Sequence, residues 1–198
     1  MDVRRVCVFC GASSGIRPDY RDAATTLGAE IASRGLGLVY GGSHLGLMGV
    51  LADACIAAGG EVIGVIPEAL VAAEIAHTGL DDLRVVSSMH ERKALMADLA
   101  DAFVALPGGF GTVEEFCEVL TWSQLGLHAK PKPCGLLDVA GYYDPLLALF
   151  DRGVDEGFIR RRHRQLVVTA SDPGDLLDRL DAWAPPPTVV KWLDPERR

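Results

Sequence analysis

The sequence predicts an α/β fold, a doubly wound parallel sheet with helices on both faces, in one domain over 1–183 followed by a proline-rich tail over 184–198. Three observations predict it. The chain has 198 residues, 49% of them hydrophobic, enough for one well-filled core. Its apolar runs are short and unbroken rather than alternating, which marks strands covered on both faces. A strand-helix-strand rhythm runs almost from end to end, and it requires right-handed parallel crossovers. Together these describe a Rossmann-like sheet, whose ligands bind at the carboxyl ends of the strands.

In chain order the strands are RVCVFCG (5–11), LGLVYGG (36–42), EVIGVIP (61–67), LRVVSS (83–88), AFVALPGG (102–109), PCGLLDV (133–139) and QLVVTA (165–170). Helical patterns between them include 18–35, 45–59, 90–100 and 112–126. The run APPPTVVKWLDPERR ends the last helix at its prolines and reads as an extended arm packed on the domain or on a second subunit.

The formal charge of −8 argues against a nucleic-acid partner, because phosphate neutralisation needs a basic surface. No stretch approaches the run of about 18 uncharged apolar residues that a membrane span needs, and MDVRRVCVFCG enters a strand without a cleavable signal, so a cytoplasmic location is expected. The odd set Cys7, Cys10, Cys55, Cys117 and Cys134 reads as reduced core thiols. Cys7 and Cys10, three apart on a strand, would face opposite sides, and His44, His77, His90, His128 and His163 lack ligand spacing, so no metal is expected. No cofactor is expected either. GASSGI resembles a dehydrogenase cofactor loop, but Arg17 stands where that family has glycine, no lysine has a tyrosine four residues before it, and no P-loop lysine motif is present.

Four strand ends carry unusual chemistry: CGASSG (10–15), GGSHLGLMG (41–49), SSMHERK (87–93) and PGGFGT (107–112). In the last, glycines let backbone amides approach an anion, and the pair Thr112 and Glu115 has capping-box spacing, which predicts a helix start at Thr112. Glu114 and Glu115 lie about 100° apart on that helix, so at most one faces a ligand. Glu115 is then either a cap or a functional group. Arg92 and Lys93 are either a solvated pair or cations serving a phosphate and a carboxylate, which arginine can grip bidentately.

Assembled, VCVFCGASSG, YGGSHLGLMG, SMHERKALM and LPGGFGTVEEFCEVLTWSQLG resemble the LONELY GUY (LOG) family of cytokinin riboside 5′-monophosphate phosphoribohydrolases, often mislabelled lysine decarboxylases. The resemblance implies Arg92 and Glu115 as the catalytic pair, and Gly108, Gly109, Gly111 and Thr112 as holders of the 5′-phosphate. It further implies Lys93, Met89 and Glu74 lining the nucleotide site, Thr121 reaching it from the same helix or a partner subunit, and Gly11, Ser13, Gly41 and Gly42 from the other loops. It implies a homodimer or larger assembly and a nucleoside 5′-monophosphate as the small-molecule partner. Ser43 departs from the third glycine of many members. Decarboxylase chemistry needs a Schiff-base lysine with an acidic partner for the cofactor ring, and Lys93 beside an arginine and a phosphate loop lacks that setting.

For hydrolysis through an oxocarbenium-like transition state, the helix dipole and the two cations are expected to keep Glu115 ionised, as base or electrostatic stabiliser. The leaving-group proton would come from Glu74, Asp98 or solvent. The alternative class is a non-catalytic nucleotide or molybdenum-cofactor carrier of the same fold, which would have no need for the R-K to E-E pairing.

Overall fold

The computed structural model of the chain describes residues 3–73 and 75–185. All seven strands form where the apolar runs place them: β1 (Arg5–Phe9), β2 (Gly37–Tyr40), β3 (Val62–Pro67), β4 (Asp82–Val86), β5 (Ala102–Ala105), β6 (Cys134–Leu137) and β7 (Val167–Ala170). β1, β2, β4, β5 and β6 are shorter at their carboxyl ends than the sequence suggests, because those last residues leave the ladder to build loops, whereas β3 and β7 end at Pro67 and Ala170 as expected.

The strands pair in parallel throughout, in the order β4-β3-β2-β1-β5-β6-β7. Strand order therefore reverses between β1 and β5. That is the switch point at which open α/β sheets bind ligands, because the helices following the two strands depart to opposite faces and leave a crevice. The helices are α1 (Pro18–Ser33), α2 (Gly46–Ala57), α3 (Glu68–Ala72), α4 (Met89–Leu99), α5 (Phe110–Leu125), α6 (Asp144–Asp155), α7 (Arg161–Arg164) and α8 (Pro173–Asp181).

Alternate residues of one strand feed two cores. Val6, Val8 and Cys10 pack with Leu27 and Ile31 of α1, Leu51 of α2 and Leu176 of α8. Cys7 and Phe9 pack on the other face with Met96 of α4, Phe116 and Val119 of α5 and Tyr143. The C-x-x-C is thus divided between two cores, and burial pushes both thiols up from their ordinary values. Beyond Pro185 the tail lies outside the described residues.

Candidate active site

The register joins the first and last of the four loops. Val6 to Phe9 lie level with Ala102 to Ala105, so the chain leaves β1 and β5 at one height, and the Gly11 amide donates to the Pro107 carbonyl at 3.1 Å. A Cβ on Gly108 would overlap the Thr112 hydroxyl and stand 2.9 Å from the Gly11 nitrogen. In front of Gly109 and Gly111 a Cβ would meet nothing within 4 Å. Glycine is thus demanded by packing at 108, while at 109 and 111 it leaves the backbone open to an incoming group. Ser13 is exposed beside this floor, its hydroxyl 3.4 Å from the Gly15 amide.

Helix α5 starts at Phe110, two residues before the expected Thr112, with Gly109 as its N-cap and no side-chain cap. The Thr112–Glu115 capping box does not form. Thr112 is buried against Gly108, and Glu115 points to Arg92 instead. An extended glycine at 109 lets the helix begin as soon as the loop turns, so Thr112 is already inside the first turn. Local spacing could not distinguish the two starts, because S/T-x-x-E is only a sequence signature. Side-chain capping forms on α4 instead: the N-cap Ser88 hydroxyl accepts from the Glu91 amide at 3.2 Å, and the Glu91 carboxylate reaches one residue further back to accept from the Ser87 amide at 2.9 Å. With α5 beginning at 110, the amides of Phe110, Gly111 and Thr112 have no intrahelical acceptor and lie at the positive end of the helix dipole, where an anion is favoured.

The adjacent carboxylates diverge, each to its own cation. Lys93 on α4 holds Glu114 at 2.7 Å and Glu118 at 3.0 Å. Lys93 therefore ties α4 to α5 rather than presenting its charge to the glycine loop. Arg92, only 8% exposed, lies 3.6 Å from Glu115 in a single contact, not a bidentate one. Its other donors are engaged by the sheet: Nε donates to the Val65 carbonyl at 3.0 Å and Nη2 to the Gly41 carbonyl at 3.2 Å. Although α4 follows the edge strand β4, it crosses β3, β2 and β1 and so carries Arg92 inward. Met89, exposed, sets its sulfur 3.2 Å from Arg92 Nη1.

The helix dipole and the two cations do not set the direction in which Glu115 is shifted. Burial pushes its carboxyl up from 4.5, the Arg92 guanidinium opposes this, and the Glu114 carboxylate adds to it. Desolvation outweighs a cation that is engaged elsewhere. A raised value means that Glu115 takes up a proton sooner as pH falls. The acid limb of kcat/KM is expected to include a group titrating above 4.5, and that contribution should vanish in Glu115→Gln. A limb at or below the ordinary carboxylate value would show that another group titrates.

The second loop is built around Gly41 and Gly42. Gly41 leaves room for the Arg92 guanidinium, which an added Cβ would overlap, and Gly42 takes a left-handed φ of +70°. Ser43 is buried, its hydroxyl accepting from the Leu45 amide at 3.1 Å, and it pairs with Ala76 in an antiparallel bridge. The third position thus caps the approach to α2 and needs no glycine. Glu74 lies outside the described residues.

Within its own chain, Thr121 does not reach the glycine loop, and Asp98 also lies away from it. Thr121 lies six residues past Glu115, about 9 Å along α5, and its hydroxyl donates to the Cys117 carbonyl at 2.8 Å. It lines a separate cavity of about 230 Å³ with Leu120, Gln124 and Phe150. Asp98 lies nine residues past Met89, about 13 Å along α4, where its charge acts on Lys132 and His128. Sequence reasoning missed Tyr142 and Tyr143, which reach from the segment after β6 to the carbonyls of Gly108 in the glycine loop and of Leu106 just before it. Their signal was available: GYYD follows a strand end of a doubly wound sheet.

Residues 48–180 match the family described as "Possible lysine decarboxylase". The probable cytokinin riboside 5′-monophosphate phosphoribohydrolase LOGL1 of Oryza sativa subsp. japonica is 53% identical over 179 residues, spanning 90% of this chain and 79% of that protein. The cytokinin riboside 5′-monophosphate phosphoribohydrolase LOG3 of Arabidopsis thaliana is 49% identical over 182 residues, 92% of this chain and 84% of that one. Among solved structures, the molybdenum cofactor carrier protein of Chlamydomonas reinhardtii covers 91% of this chain and 99% of its own at 24% identity, with a TM-score of 0.67. The molybdenum cofactor binding protein of Rippkaea orientalis covers 92% and 98% at 21% identity, TM-score 0.68. At those identities the structures share the fold alone.

Proposed function

The chain belongs to the LOG family of cytokinin riboside 5′-monophosphate phosphoribohydrolases, and from that membership we propose that it hydrolyses the N-glycosidic bond of adenosine 5′-monophosphates, N6-substituted ones among them, releasing free base and ribose 5-phosphate. The observation that carries the proposal is the buried Glu115 beside Arg92, in the second turn of the helix whose open N-terminus faces the crevice. A carrier would bind phosphate with the same amides. It would have no use for a desolvated carboxylate one step further in.

In this reading the 5′-phosphate sits on the amides of Phe110, Gly111 and Thr112, with Gly109 and Gly111 leaving the approach open. The ribose then extends toward Glu115. As the C1′–N9 bond breaks, its electron pair goes to the base and positive charge develops at C1′ and the ring oxygen. The Glu115 carboxylate, in a site screened from water, stabilises that charge. Water adds its hydroxyl to C1′, and its proton ends on the departing base. Arg92 is pinned by two strand-end carbonyls, so it fixes the place of Glu115 without neutralising it through a bidentate bond. Phosphate binding energy thereby positions a bond several ångströms away.

The proposal extends to a homodimer in the cytoplasm, with 1–183 as the catalytic domain and 184–198 as its tail. Exposed Leu125, Leu127 and Leu149 support a partner surface, and no helix among the described residues is long and apolar enough to cross a membrane.

The test is base release, by chromatography, from isopentenyladenosine 5′-monophosphate, AMP and the nucleoside lacking phosphate. Base and ribose 5-phosphate from the monophosphates only is the expected result. Binding without release would move the chain to the carrier class.

A further inference from the structure

We propose that Tyr142 is a positioning residue for the phosphate site, holding the carbonyl of Gly108 away from the bound anion. The inference rests on the reading of the glycine loop as a 5′-phosphate site.

A loop that binds an anion with its amides must also keep its carbonyl oxygens turned away, since each carries a partial negative charge. Here three consecutive carbonyls are each held by a donor. Leu106 accepts from the Tyr143 hydroxyl at 2.6 Å, Pro107 from the Gly11 amide at 3.1 Å, and Gly108 from the Tyr142 hydroxyl at 2.5 Å. Two of the three donors are neighbouring tyrosines on the segment after β6. Their rings stand nearly perpendicular, 86° apart at 5.1 Å, so one chain segment reaches two carbonyls two residues apart.

The segment is shaped for this. Ala140 has a left-handed φ of 54° and Gly141 one of 71°. The Asp138 carboxylate accepts from the Tyr143 amide at 2.7 Å and closes the turn. A left-handed alanine is held against its own preference, and the surroundings must impose it. Tyr142 is set further by an edge contact with Tyr20 at 5.8 Å, and Tyr20 packs against Gly15 of the first loop. The two hydroxyls differ in surroundings. Tyr143 is 2% exposed and belongs to the core, whereas Tyr142 is 40% exposed at the crevice. Removing the Tyr142 hydroxyl therefore leaves the core intact and frees one carbonyl.

Tyr142→Phe keeps the ring and both edge contacts. A neutral hydrogen bond contributes about 0.5–1.5 kcal/mol, which is about 2–13-fold in an equilibrium constant. KM for the monophosphate and the inhibition constant of inorganic phosphate should both rise within that range. kcat should hold near wild type, because Glu115 and Arg92 are untouched. A simple packing role would lower thermal stability and leave phosphate affinity alone. If both constants stay at wild-type values in folded Tyr142→Phe, the proposal is overturned. Calorimetric titration of AMP into both proteins separates this proposal from the proposed activity: should neither protein release base, a weaker AMP affinity in the variant still supports Tyr142, and equal affinities reject it.

Discussion

Glu115→Gln is expected to lower kcat by about 10²–10³-fold, the usual cost of removing one preorganised electrostatic stabiliser, while KM for the monophosphate moves little. The phosphate is held by α5 amides that this substitution does not touch. Stability should go the other way. The folded-state carboxyl is raised by burial, so its contribution to stability is fully present below the unfolded value and is lost as pH rises through the folded one. At neutral pH the ionised carboxylate therefore costs stability that a neutral glutamine does not. Melting at pH 7 should leave Glu115→Gln as stable as wild type or more so, with a gap that closes on acidification. Near-normal base release by a folded Glu115→Gln would remove Glu115 from the mechanism.

Gly41→Ala is expected to abolish most turnover at modest cost in stability, although residue 41 carries no chemistry of its own. A Cβ there would overlap the Arg92 guanidinium and stand 3.0 Å from the Met48 sulfur. Both are the ends of flexible side chains, so the fold can yield by expelling Arg92 from its seat. The guanidinium then loses its bond to the Gly41 carbonyl, and Glu115 loses its buried neighbour. A misplaced supporting group can cost about 10²-fold even when the chemistry lies elsewhere. Overpacking a core costs about 1–3 kcal/mol, and the flexible ends keep this case toward the lower figure. Base release and a melting curve on one preparation check it. Wild-type turnover in Gly41→Ala would mean that Arg92 does not need this seat.

The two effects show which parts of the site were legible in the sequence. Seven unbroken apolar runs became seven strands because burial on both faces is a local compositional demand. The glycine loops fell at strand ends for the same kind of reason: a chain leaving a buried strand must turn, and glycine turns without a Cβ. The pairing of Arg92 with Glu115 was implied by the family resemblance, while helix period showed only that Glu114 and Glu115, about 100° apart, would not share one partner.

Other features required the fold itself. The start of α5 depended on whether Thr112 capped the helix or packed on Gly108, and a residue in another strand's loop, Gly11, decided it by closing over Gly108. The upward shift of the Glu115 carboxyl depended on its burial by segments distant in sequence. Its cation proved to be partly engaged by carbonyls of β3 and the β2 loop, 27 and 51 residues away in sequence. Thr121 followed from the pitch of one helix, which carries it away from the loop at that helix's own start. The grip of Tyr142 on Gly108 spans 34 residues. Composition and period determined the sheet, its loops and which charged side chains stand at the strand ends. Only the packing of α4 and α5 over the switch point decided which cation met which carboxylate, because desolvation and hydrogen-bond competition are properties of neighbours in space.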